Sequence, residues 1–142
     1  MVPNLSELRT YDISSAWQGA DIAADSDWIH VFTETEIAEL AAAAGAVSDI
    51  DILDLTGADF HLSSLDSVLL EIRRDVVDGR GFALLRGLPV HEWPLEVTAR
   101  AYWAIGSRIG VPISQNRVGN LLGHVTDVGG EADHPNQRGH QS

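Results

Sequence analysis

The sequence predicts a small mixed fold, α+β or α/β, whose sheet is incomplete. Three segments repeat apolar residues at helical spacing, and short apolar runs alternate with them. Only about three such runs occur, so the sheet they build is small and its edges are exposed. The composition is that of an ordinary globular chain, 44% apolar and 21% charged over 142 residues. That length is enough to bury a real core.

Residues 1–32 read as an arm with little regular structure, and Trp17 and Trp28 read as anchors that pack it on the body. The rest, 33–142, reads as one incomplete domain. Its first helix follows Thr33-Glu34-Thr35-Glu36, which has capping-box spacing. Ile37, Leu40, Ala41 and Ala44 then recur on one side, and Gly45 is the expected stop. Residues 49–60 are acidic, carry Ile50, Ile52, Leu53 and Leu55, and are read as a short strand broken at Gly57. The second helix is capped by Ser63 or Ser64. Its apolar stripe is Leu65, Val68, Leu69, Ile72 and Val76, and Gly79 ends it. Phe82-Ala83-Leu84-Leu85, bounded by glycines, fits a buried strand. A third helix begins near Pro94, runs through Val97, Ala101, Ile105 and Ile109, and closes at Gly110. A last strand is expected over about 121–128, and 129–142 begins as a loop.

Charge and composition exclude several functions. The formal charge of -12 repels phosphate backbones and anionic lipid, so nucleic acid and membranes are not expected partners. Without cysteine there is no disulfide, thiolate nucleophile or Cys-based metal site. No apolar run approaches a membrane span and no signal peptide is visible, so the expected location is the cytoplasm. Gly79-Arg80-Gly81 offers a G-x-G, but it precedes a strand, whereas a dinucleotide cradle follows one. The chain has no lysine for a phosphate loop, and no G-x-S-x-G elbow.

Metal ligands are left to His, Asp and Glu. A non-haem iron site needs two His and one carboxylate on one face of the metal. An H-x-D or H-x-E on a strand end sets two of them on one side. None of His30, His61, His91, His124, His134 and His140 begins that motif. In His124-Val125-Thr126-Asp127 the offset is three, which points the two side chains to opposite faces. A looser set of His124, Asp127, His134 and His140 is the alternative metal site, set against ordinary surface histidines.

Several segments, in order, resemble the TauD/TfdA-type iron(II)/2-oxoglutarate-dependent oxygenases. Residues 79–89, GRGFALLRGLP, resemble that family's "GrGf-llrGlp" stretch, and 102–112, YWAIGSRIGVP, the helix and turn after it. Gln115-Asn116, Gly119 and 121–129 continue the match. Upstream, Ala16-Trp17, Asp27-Trp28-Ile29 and the helix with Glu36 to Leu40 fit the same region. Residues 138–142, RGHQS, correspond to the family's "RgYqt", with His140 where the family has Tyr.

The resemblance implies the N-terminal portion of a double-stranded β-helix, a jelly roll, with flanking helices and an incomplete sheet. It also implies an oxygenase that oxidises a small organic substrate while converting 2-oxoglutarate to succinate and carbon dioxide. The ligands of the iron(II) are then expected beyond Ser142, so this chain alone is expected to be inactive and to bind neither iron nor 2-oxoglutarate. Gln115, Asn116, Arg138, His140 and Gln141 become candidates for the pocket wall, with turn chemistry the competing reading for Gln115 and Asn116. Apolar helix faces made to cover a missing sheet imply self-association or a complementing C-terminal half. The rival function is a non-catalytic binding or partner module built on the same fold.

Overall fold

The computed structural model describes residues 13–115, 119–123, 126–127 and 140–141. The chain forms two compact units, Met1–Gly110 and Val111–Ser142. In the first the order is α1 (Gly19–Ala23), β1 (Ile29–Val31), α2 (Glu34–Ala46), two 3-10 turns (Ile52–Asp54 and Gly57–Asp59), α3 (Leu65–Val77), β2 (Leu84–Arg86) and α4 (Leu95–Ile109). Among the described residues no helix is long and apolar enough to cross a membrane.

α2 starts where its cap dictates. Thr33 Oγ1 accepts the Glu36 N–H at 3.3 Å, and the Glu36 carboxylate accepts the Thr33 N–H at 2.7 Å. The helix does not stop at Gly45 but runs on to Ala46, with Val47 as its cap. A glycine in the last turn costs about 1 kcal/mol against alanine, too little to end a helix whose neighbours Ala44 and Val47 are buried. α3 matches its stripe, but neither serine caps it through its own side chain. Glu39, one turn into α2, does so instead. Its carboxylate accepts the Ser64 N–H at 3.0 Å, the Leu65 N–H at 3.1 Å and the Ser64 hydroxyl at 2.5 Å. α4 begins at Leu95, and Pro94 stands at the cap itself.

The core lies where α4 packs against both α2 and α3. Leu40, Ala43 and Ala44 of α2, Leu65 and Leu69 of α3, and Ala101, Trp103, Ala104 and Ile105 of α4 are buried there with Phe60 and Leu62.

Residues 49–60 contain no strand. They fold into the two 3-10 turns because their short polar side chains capture the backbone N–H groups a ladder would need. Asp51 accepts from Leu53 N at 2.9 Å, and Asp59 accepts from Thr56 N at 2.7 Å. Several carbonyls of this stretch, and of Val47 and Ser48 just before it, are taken by α4. Arg100 donates to the carbonyls of Val47, Ser48 and Ile50, and Trp103 Nε1 donates to Leu55 O at 2.9 Å. Arg108 donates to Gly57 O, to Phe60 O at 2.7 Å and to Asp66 Oδ1 at 2.7 Å. Leu55 and Phe60 thereby reach the core without a sheet.

β1 and β2 pair in parallel, with Ile29 opposite Leu84, His30 opposite Leu85 and Val31 opposite Arg86. The α2–α3 segment supplies the long crossover that parallel pairing requires. Within 13–32 the regular structure is the five-residue α1 and the three-residue β1. One expectation is corrected here. The strand near 82–85 is not buried: Leu84 and Arg86 are exposed and Leu85 is half-buried. A two-stranded sheet leaves a strand only one neighbour, so an apolar run need not mean that both faces are covered.

In the second unit β3 (Thr126–Asp127) and β4 (His140–Gln141) form an antiparallel pair. The strand expected over 121–128 is shorter than that: 121–123 are outside any strand, and 124, 125 and 128 lie outside the described residues.

Candidate functional site

The expected pocket wall falls in the second unit. The Gln115 backbone N–H donates to Asn120 O at 2.7 Å, and its side-chain amide donates to Ile113 O at 2.8 Å. Gly119, with φ +88°, lies inside this turn. Both Gln115 contacts are local ones, to residues two and five positions away. Asn116 and Arg138 lie outside the described residues. His140 and Gln141 form β4, where His140 stands opposite Asp127 and Gln141 opposite Thr126.

Of the alternative metal set, two positions, 127 and 140, are thus brought into register, while His124 and His134 lie outside the described residues. Among the described residues no group of three or more His, Asp or Glu comes together in a way that could hold a metal ion. A facial triad needs three such donors on one ion, so the described residues do not fit an iron site.

Three groups of polar side chains stand out in the first unit, and the sequence signalled one of them, the Thr33–Glu36 box. The most charged surrounds Arg80, on the turn from α3 to β2. Its guanidinium forms ion pairs with Asp75 of α3, at 2.7 Å, and with Asp27 ahead of β1. The hydrogen bond from Arg80 holds the Asp27 carboxyl below its ordinary range, and Asp27 in turn raises Arg80 further above its own. Beside them is an open cleft of about 330 Å³, lined in part by Trp17, Ile22, Asp25 and Trp28. The second place is the start of α2. His30 Nε2 lies 3.3 Å from the buried Glu36 carboxylate, which also accepts from Thr33. Burial pushes the Glu36 carboxyl up, but the Thr33 amide and hydroxyl and the nearby His30 outweigh it, and the net displacement is downward. The third is Glu39 at the start of α3. There too burial raises the carboxyl, and the donors from Ser64 and Leu65 bring it below its ordinary value.

These groups have one chemical consequence in common. Asp27, Glu36, Glu39 and Asp59 are all lowered, so all are ionised and hydrogen-bonded near neutral pH. A general acid needs the opposite displacement. These four carboxylates cap helices and turns or join segments. The sequence signal for them is local box spacing, at Thr33 and Glu36 and again at Thr56 and Asp59. Arg80 with Asp27, and Glu39 with Ser64, are far apart in the chain, and no local pattern pairs them.

The chain is similar to one curated enzyme. It is 25% identical over 131 residues to FR-33289 synthase of Streptomyces rubellomurinus (strain ATCC 31215). The alignment takes in 90% of this chain and 39% of the synthase, so the chain spans well under half the length of that relative. No protein-family model matches the chain. A similarity of this size supports a distant relationship to a synthase and assigns no residue a role.

Proposed function

We propose that these residues are the N-terminal portion of an iron(II)/2-oxoglutarate-dependent oxygenase of the TauD/TfdA type, acting on a small organic substrate and inactive alone. The observation that carries the reading is the similarity to a synthase, which runs through 131 residues rather than one motif. The resemblance of 79–89 and 102–112 to that family supports it. In the fold these two stretches are the α3–β2 turn with its strand and the second half of α4 with its closing turn. Within the parent enzyme this portion supplies helical packing and a parallel strand pair, while the groups that hold iron(II) and 2-oxoglutarate come from elsewhere.

The test uses two polypeptides, the 142-residue chain and the same chain extended by the codons that follow Ser142. Each is given ferrous ion, 2-oxoglutarate and oxygen, and succinate is measured. The extended protein is expected to form succinate and the short one none. Succinate from the short chain alone would defeat the inactive-portion reading. No iron-dependent succinate from an extended chain that folds would defeat the oxygenase reading altogether. A non-catalytic partner module is the second reading, favoured by the closed α2–α3–α4 core, and it predicts a cooperatively melting protein that forms no succinate in either length.

A further inference from the structure

Residues 13–27 are attached to the body in an unusual way. None of residues 13–27 is buried, and α1 contributes nothing to the core. The Trp28 indole N–H, at the end of the segment, donates to Ile22 O and Asp25 O, and the side-chain tethers to the body land on residues 78–82. Ser14 Oγ donates to Asp78 O at 3.0 Å and Gly79 O at 2.8 Å. Trp17 Nε1 donates to Arg80 O at 3.0 Å, and its ring meets Phe82 edge-on at 5.0 Å. Asp27 closes the set through its ion pair with the Arg80 guanidinium. Arg80 is meanwhile fixed to α3 by Asp75, so the receiving side belongs to the body. The ladder begins immediately afterwards, where Leu84 N donates to Trp28 O at 2.8 Å.

From this convergence we infer that residues 13–27 form a strap that opens as one unit, hinged at Trp28 and latched by Arg80, while the helical core stays folded. Its tethers share one receiving segment of five residues, so releasing one frees the others to leave. The Asp27 carboxylate is 57% exposed, which makes the latch sensitive to salt. Segments that bury little apolar surface open at lower cost than the core they rest on. An open strap uncovers the side of Phe82 that Trp17 covers, while Trp28 stays against the ring at 5.6 Å, and it dismantles the cleft beside Arg80. This is independent of the oxygenase reading.

Native-state hydrogen exchange on the whole 142-residue chain tests it. Asp27→Asn removes the strap's half of the latch and leaves Arg80 paired with Asp75. In this variant, peptides within 13–27 are expected to exchange roughly three- to tenfold faster, with α2 and α4 unchanged. Raising the salt to about 1 M should do the same in the wild type. Ser14→Ala and Trp17→Phe should each speed the whole strap, not only their own neighbourhood. The inference is overturned if Asp27→Asn leaves the strap's exchange unchanged, or if strap and α4 accelerate together in every variant.

Discussion

Trp103 offers the sharpest test of how the first unit is held together. The residue is buried in α4, and its indole N–H donates to the carbonyl of Leu55, itself buried between the two 3-10 turns. Trp103→Phe keeps an aromatic ring but removes the donor and part of the volume. A buried carbonyl that loses its partner costs about 1–3 kcal/mol. The missing part of the indole adds a cavity term of about 1 kcal/mol. The sum is about 2–4 kcal/mol, a large share of the stability of a domain this size. With a urea m-value of about 2 kcal/mol/M, the midpoint should fall by roughly 1–2 M. Far-UV circular dichroism in urea measures it. Tyr102→Ala, on the next residue but 64% exposed, is the control and should shift stability by no more than about 0.5 kcal/mol beyond its helix propensity. If Trp103→Phe costs less than about 0.5 kcal/mol, the Leu55 carbonyl has found water, and α4 does not organise the irregular segment as argued.

Other substitutions and conditions probe the remaining joints. Glu39→Ala leaves the start of α3 without its cap and should cost about 1–2 kcal/mol, read by thermal or urea unfolding. Glu36 and Glu39 are both held below their ordinary value of 4.5, so the native state takes up their protons less readily than the unfolded chain. Their stabilisation is complete above pH 4.5 and is lost as the pH falls through their lower native values. Urea midpoints across pH 3–7 should show that slope, and Glu39→Gln should flatten it. Gly79→Ala should destabilise by about 1–3 kcal/mol, because its Cβ would sit 2.8 Å from the Asp75 backbone oxygen.

The three main helices were legible because each rests on local rules. The Thr33–Glu36 box and the stripes of α3 and α4 are periodic signals within one segment, and the structure follows them to within a residue or two. Residues 49–60 failed for a physical reason. Their apolar residues suited a strand, but Asp51, Thr56 and Asp59 satisfied the backbone locally, and Arg100, Trp103 and Arg108 took the carbonyls from about 50 residues away. Gln115 engages its own turn, and pairing at a distance of 13 residues sets His140 opposite Asp127.

The sequence by itself determined the helical segments, the absence of thiol chemistry and the acidic surface, because composition and short-range periodicity carry that information. Only the tertiary structure decided that Glu39 caps another helix, that Arg80 joins Asp27 to Asp75, and that an apolar, acidic stretch becomes two turns rather than a strand. Those outcomes depend on which distant donors and acceptors meet once α4 packs against α2 and α3. A buried polar group must find a partner wherever the fold presents one.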